Sequence, residues 1–174
     1  MNWTVHKFGG SSLVDAAAFE HVGELLSSQP EDRQAVVVSA MGGTTDALMD
    51  AARAAASGDV AWRDRLAALR QRHLDCAASL ALDDGSVGAL GRSFDEVSHL
   101  LEGLVLLGSL PSEVLDLVAG LGEQWSARLL SGWFGRRGEA GAFVDAREVI
   151  RIKRGDLGPV LLADASREAL AAQE

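Results

Sequence analysis

The sequence predicts an α/β protein in which a mainly parallel sheet is covered by helices. Two short apolar runs, Val5 to Phe8 and Ala35 to Val38, read as strands, and a helical stretch lies between them. This β-turn-α-turn-β order favours parallel pairing, because antiparallel neighbours need no crossover helix. Each run ends in a glycine turn, Gly9-Gly10 and Gly42-Gly43. The long stretch from Trp62 to Leu107 carries apolar residues at helical spacing and adds a helical hairpin.

The first strand begins near Trp3, and its nearly continuous apolar character predicts burial. Asp15 is a natural N-cap for the helix that follows, with Phe19, Val22, Leu25 and Leu26 on its inner face. Pro30 and Asp32 supply the turn into the second strand. A helix then runs to about Ala56 and ends at Ser57-Gly58-Asp59. Trp62, Leu66, Leu69, His73, Cys76 and Leu80 form one stripe. Asp83 to Ser86 break the chain, and Leu90, Phe94, Val97, Leu101, Leu104 and Val105 form the next. Ser112, as cap, opens a short helix to Ala119. Gly120 to Gly122 interrupt it, and Glu123 starts another helix to about Phe134. Gly135 to Gly141 is a basic turn, Ala142 to Asp145 a third strand, and a helical turn follows at once. From Arg151 the pattern is weak. A helix from Ala163 to Glu174 has no terminator, and three strands are few for this length, so the sequence is expected to be part of a longer protein.

Within its 174 residues, 48% apolar content is enough to build a substantial core. A net charge of −9 with dispersed Lys and Arg argues against nucleic acid or anionic membrane as partners. The single cysteine, Cys76, excludes an internal disulfide framework and fits a cytoplasmic location. No signal-peptide pattern or apolar run of membrane-spanning length occurs. His6, His21 and His99 are scattered without metal-ligand spacing, so no metal site is expected. His73 and Cys76 read as core, and Trp3, Trp62, Trp125 and Trp133 as packing residues.

The chemistry concentrates in Lys7-Phe8-Gly9-Gly10-Ser11-Ser12. Glycines at a strand-to-helix turn let backbone N–H groups approach an anion, and a following helix presents its positive end. Lys7 adds a point charge suited to phosphate. A bare Gly-Gly also fits an ordinary turn; the lysine in so acidic a chain favours a phosphate site. Strand alternation sends His6 to the opposite face from Lys7.

Three segments together resemble the aspartate kinases of the amino acid kinase superfamily. They are Val5-His6-Lys7-Phe8-Gly9-Gly10-Ser11-Ser12-Leu13, then Val37-Val38-Ser39-Ala40-Met41-Gly42-Gly43-Thr44-Thr45-Asp46, then Gly122-Glu123-Gln124-Trp125-Ser126-Ala127-Arg128-Leu129-Leu130. Asp145-Ala146-Arg147-Glu148 and Leu106-Leu107-Gly108 add to the likeness. The resemblance implies a three-layer α/β/α sandwich, with residues 1–174 forming the N-terminal portion of a catalytic domain. A homoserine dehydrogenase or decarboxylase partner is an option for the fused remainder. It implies that MgATP phosphorylates the side-chain carboxylate of L-aspartate, the first step toward lysine, threonine and methionine. It assigns Lys7 to the transferring phosphoryl group and Lys7, Phe8, Gly9, Gly10 and Ser11 to the nucleotide. Ser39, Thr45 and Glu123 fall to the substrate, with Glu123 on its ammonium. Ser11 stands where many relatives have threonine, and the family's later Gly-Arg-Gly-Gly-Ser-Asp segment is absent here. That absence implies that these residues alone are inactive. A sheet cut at this point exposes an edge, so a homo-oligomer is among the expected partners.

Plainer roles compete. Lys7 fits a solvated strand end, Thr44 or Thr45 a helix cap, Glu123 a first-turn acid favoured by the helix dipole, and Arg136-Arg137 a solvated turn. Another amino acid kinase, acting on glutamate or acetylglutamate, and a non-catalytic regulatory module are the alternatives. A dinucleotide-binding domain is disfavoured because the first turn lacks Gly-x-Gly-x-x-Gly.

Overall fold

A computed structural model describes residues 3–29, 33–139 and 141–172, in two compact units, Met1–Gly141 and Ala142–Glu174. In the first unit, strand β1 (Thr4–Phe8) pairs in parallel with β2 (Gln34–Val38), with Lys7 opposite Val37 and Phe8 opposite Val38. Helix α1 (Ala16–Ser27) makes the crossover, and its cap is the expected one: Asp15 Oδ1 accepts the Ala18 N–H at 2.9 Å. Phe8, Val36 and Val38 turn toward the helices and pack on the core. The strands are not buried throughout as their apolar runs suggested. Val5 and Val37 are exposed, because helices cover only the Phe8 and Val38 face of this pair. On α1, Phe19, Val22 and Leu26 are buried while Leu25 turns out. Gly23 takes the inner position instead, beneath the Trp133 indole.

Five helices complete the unit: α2 (Thr44–Ala56), α3 (Trp62–Ser79), α4 (Asp84–Leu107), α5 (Ser112–Ala119) and α6 (Leu121–Arg136). The expected α3–α4 pair is present, and the Arg70 guanidinium on α3 bonds the Asp95 carboxylate on α4. The break between them falls at Leu80 to Asp83 rather than at Asp83 to Ser86. Asp83 caps α4 by accepting the Ser86 N–H at 2.9 Å, so the helix starts six residues before Leu90. Pro111, not Ser112, holds the cap position of α5. Only Gly120 separates α5 from α6.

Trp62, Trp125 and Trp133 are almost wholly buried, whereas Trp3 is 54% exposed and lies beneath the Arg33 guanidinium rather than in the core. Phe94 and Trp125 stack with ring centroids 3.9 Å apart, and His73 meets both edge-on. Arg136 is the last residue of α6, and Arg137 is exposed in the turn that follows, as expected, where it bonds Glu139 at 2.6 Å and lies over Trp133.

In the second unit, Ala142 to Asp145 do not form a strand. Asp145 instead accepts the Arg147 N–H and caps α7 (Ala146–Val149). A hairpin unseen in the sequence follows, β3 (Ile152–Gly155) antiparallel to β4 (Gly158–Leu161), then α8 (Ala163–Ala171). Every hairpin residue is exposed, so no face imposes the alternation that marks a strand in sequence. The turn assigned to Pro30 and Asp32 and the last two residues of the C-terminal helix lie outside the described residues. Among the described residues no helix is long and apolar enough to cross a membrane.

Candidate active site

Both parallel strands end at the same edge, so the turns that leave them are neighbours. The first turn is a short 3-10 segment, Gly10–Ser12, anchored by Leu13, which is fully buried. Its two internal bonds run from Ser12 N–H to the Gly9 carbonyl and from Leu13 N–H to the Gly10 carbonyl. The N–H groups of Gly9, Gly10 and Ser11 have no acceptor among the described residues. The Lys7 side chain is exposed, yet its Nζ lies 3.8 Å from where a Cβ on Gly9 would sit. Its ammonium therefore lies beside the turn and makes no ion pair among the described residues.

The helix dipole enters differently from the sequence expectation. Helix α1 does not start at the glycines, and its own Asp15 carboxylate closes its N-terminus. The open helix end belongs to α2. Gly43 occupies its cap position at φ 79°, a left-handed conformation that favours glycine, and supplies no side-chain acceptor. The Thr45 and Asp46 N–H groups are left without acceptors among the described residues. Neither Thr44 nor Thr45 is a cap, since both lie inside the helix. Thr45 is half-buried; Thr44 is fully buried and its Oγ1 has no partner.

Contacts too close for a side chain hold the turns together. A Cβ on Gly10 would fall 2.8 Å from the Ala40 carbonyl oxygen. One on Gly122 would fall 2.6 Å from the Ala40 Cβ and 3.0 Å from the Thr44 Cγ2. The start of α6 is thus pressed onto the second turn, bringing Glu123 to the same edge of the sheet. Glu123 is half-buried, and its Oε2 is enclosed without a hydrogen-bond partner. An unpaired buried carboxylate oxygen is costly unless a cationic or donor group meets it.

Ser39 is half-buried at the end of β2, its N–H donating to the Phe8 carbonyl at 2.9 Å. The Phe8 side chain packs on the core, leaving only its backbone for a ligand. Ser11 is exposed on the first turn. The expected residues therefore gather at one sheet edge: Lys7, Gly9, Gly10 and Ser11 on the first turn, Ser39 and Thr45 flanking the second, and Glu123 behind it. Sequence reading missed Arg72, whose guanidinium bonds Gly42 and Val14 carbonyls. It sits on a helix face among other charged residues, and no local motif distinguishes it.

Free amides, a cation and an open helix end suit an anionic ligand, while an enclosed carboxylate suits an ammonium. The chain belongs to the amino acid kinase family, whose family model matches residues 2–172. Within that family it is similar to the chloroplastic bifunctional aspartokinase/homoserine dehydrogenase 2 of Arabidopsis thaliana. The two are 32% identical over 151 residues, covering 85% of this chain and 16% of the relative. The bifunctional aspartokinase/homoserine dehydrogenase 2 of Escherichia coli K12 is also 32% identical, over 86% of this chain and 18% of its own length. The chain thus spans less than a fifth of these relatives. Escherichia coli aspartokinase III, solved with aspartate and ADP, shares the fold with a TM-score of 0.84 at 24% identity. That match covers 99% of this chain and 37% of the solved one.

Proposed function

We propose that this chain provides the phosphate-side lysine and the amino-group pocket of an aspartate kinase, within the N-terminal portion of its catalytic domain. The observation carrying the proposal is the close packing of Gly10 and Gly122 on Ala40, with the Lys7 Nζ beside Gly9 and Glu123 next to Gly122. ATP, with Mg2+ on its phosphates, supplies the phosphoryl group. Lys7 neutralises charge on that group as it moves, and the Gly9, Gly10 and Ser11 amides hold its oxygens. Such transfer depends on positioning and charge compensation rather than on covalent chemistry by the protein. The α2 N-terminus, with Thr45 and Ser39 beside it, receives the carboxylate acceptor. Glu123 takes the substrate ammonium, which distinguishes an amino acid from a plain dicarboxylate.

In this reading the product is β-aspartyl phosphate, which enters lysine, threonine and methionine biosynthesis. A reducing compartment such as the cytoplasm is supported by the chain's one cysteine, Cys76, which is free and buried. The exposed Val5 and Val37 on the uncovered sheet face support association with further protein surface, in the same protein or a second copy.

The test is aspartate-dependent ADP release by the protein carrying this chain. Lys7→Ala should lower kcat by about 100-fold or more, the scale of losing one transition-state donor. Glu123→Gln should raise the KM for aspartate about tenfold, with a smaller change in kcat. Full activity in Lys7→Ala, or no release dependent on aspartate, would contradict the assignment.

A further inference from the structure

We infer that Arg72 is a positioning residue that sets the spacing between the two glycine turns. Arg72 lies on α3, 30 residues beyond Gly42 and 58 beyond Val14, and is half-buried. Its Nη1–H donates to the Gly42 carbonyl at 2.7 Å and its Nη2–H to the Val14 carbonyl at 3.0 Å. Val14 follows the first turn directly, and Gly42 lies within the second. One planar fork therefore spans both. A Cβ on Gly42 would meet Val14 Cγ1 at 3.3 Å and the Gly10 carbonyl oxygen at 3.5 Å, so the segments Arg72 joins already touch.

Two further features set this contact apart from ordinary surface pairing. Arg72 makes no ion pair among the described residues, although acidic residues outnumber basic ones in the chain. Its Nη1 and Nη2 donors go to neutral backbone oxygens of two segments, neither on its own helix. The turn it grips also leads into the open N-terminus of α2, where Gly43 is left-handed and no side-chain cap fixes the entry. A guanidinium, with donors fixed in a plane, holds two carbonyls at a set separation; an ammonium on a flexible stem does not.

The role rests on the kinase reading for its ligand but not for its geometry, and hydrogen exchange separates the two. In the ligand-free chain, Arg72→Met should speed exchange of the Ser12, Leu13 and Thr44 amides, the ones bonded within the two turns, about tenfold, with Arg72→Lys between it and wild type. Exchange in α4 and α6, and the melting temperature, should stay near wild type. Unchanged turns, or equal acceleration throughout the unit, would overturn the inference. With MgATP and L-aspartate added, wild type should show protection at both turns, and Arg72→Met should need about tenfold more ligand for the same protection. Equal ligand requirement in both would also overturn it. A wild-type chain that gains no protection would count against the kinase reading, while the ligand-free comparison still decides the role of Arg72.

Discussion

Glu123, half-buried, and His73, fully buried, each enclose a polar atom, with different consequences. Glu123 keeps one oxygen enclosed and unpaired at the site edge. His73 is fully buried with Nδ1 on the Leu69 carbonyl at 2.8 Å, its ring against Phe94 and Trp125. Burial lowers its pKa to about 4, with the Arg72 charge adding to the effect and the Leu69 bond opposing it. The folded state therefore prefers neutral His73, so this contribution is fully present above pH 6.5 and is lost as pH falls toward 4. Between pH 7.5 and pH 5 the loss should be about 2 kcal/mol, readable as a fall in denaturant midpoint. His73→Gln should flatten that part of the pH profile. An unchanged profile in the variant would locate the acid sensitivity elsewhere. Cys76, one helical turn on, has its thiol pushed up to about 11, mainly by burial and then by the Asp15 carboxylate. Native chain should resist iodoacetamide at pH 7.5, and denatured chain should react readily.

At the level of elements, contacts under 3 Å from a missing Cβ explain why glycine occupies particular positions. Gly122→Ala should cost about 1–3 kcal/mol, since Ala40 and Thr44 must move, and should weaken aspartate use by displacing Glu123. Gly23→Ala meets the Trp133 indole at 2.4 Å but touches no proposed ligand group. It should lower stability on a similar scale while leaving KM near wild type in the folded protein. Thermal melts paired with steady-state kinetics separate the two. Much of this layer was legible in sequence, because amphipathic spacing located the α1, α3 and α4 stripes and Asp15 announced its cap. The β3–β4 hairpin was not legible, since a strand without a buried face carries no alternation. The clash that places Gly122 on Ala40 is a long-range contact, invisible to any local pattern. For the same reason Lys7, Gly9 and Gly10 were readable as a turn, whereas the Arg72 bridge was not.

In the molecule as a whole, the first unit draws its site from a fold principle. Parallel strands end together, and the turns beyond their carboxyl ends form the natural ligand crevice. The residues contributed by β1, β2 and α6 are separated in sequence by more than 100 positions, from Lys7 to Glu123, yet share one edge. The open helix end and free amides lie there, while the Asp15 cap closes α1 against the same use. The sequence placed the dipole one helix too early because the Gly10–Ser12 turn separates β1 from α1. The expected division, phosphate at the first turn and the substrate at the second, is left unchanged by this.

That division can be read directly from amide chemical shifts. On titrating the isotope-labelled protein carrying this chain with MgATP, the Gly9, Gly10 and Ser11 resonances should move first; subsequent L-aspartate should move those of Thr45 and Glu123, and Lys7→Ala should abolish the nucleotide-induced shifts. Unmoved turn amides at millimolar ligand, or shifts confined to other surfaces, would contradict a shared site at this sheet edge.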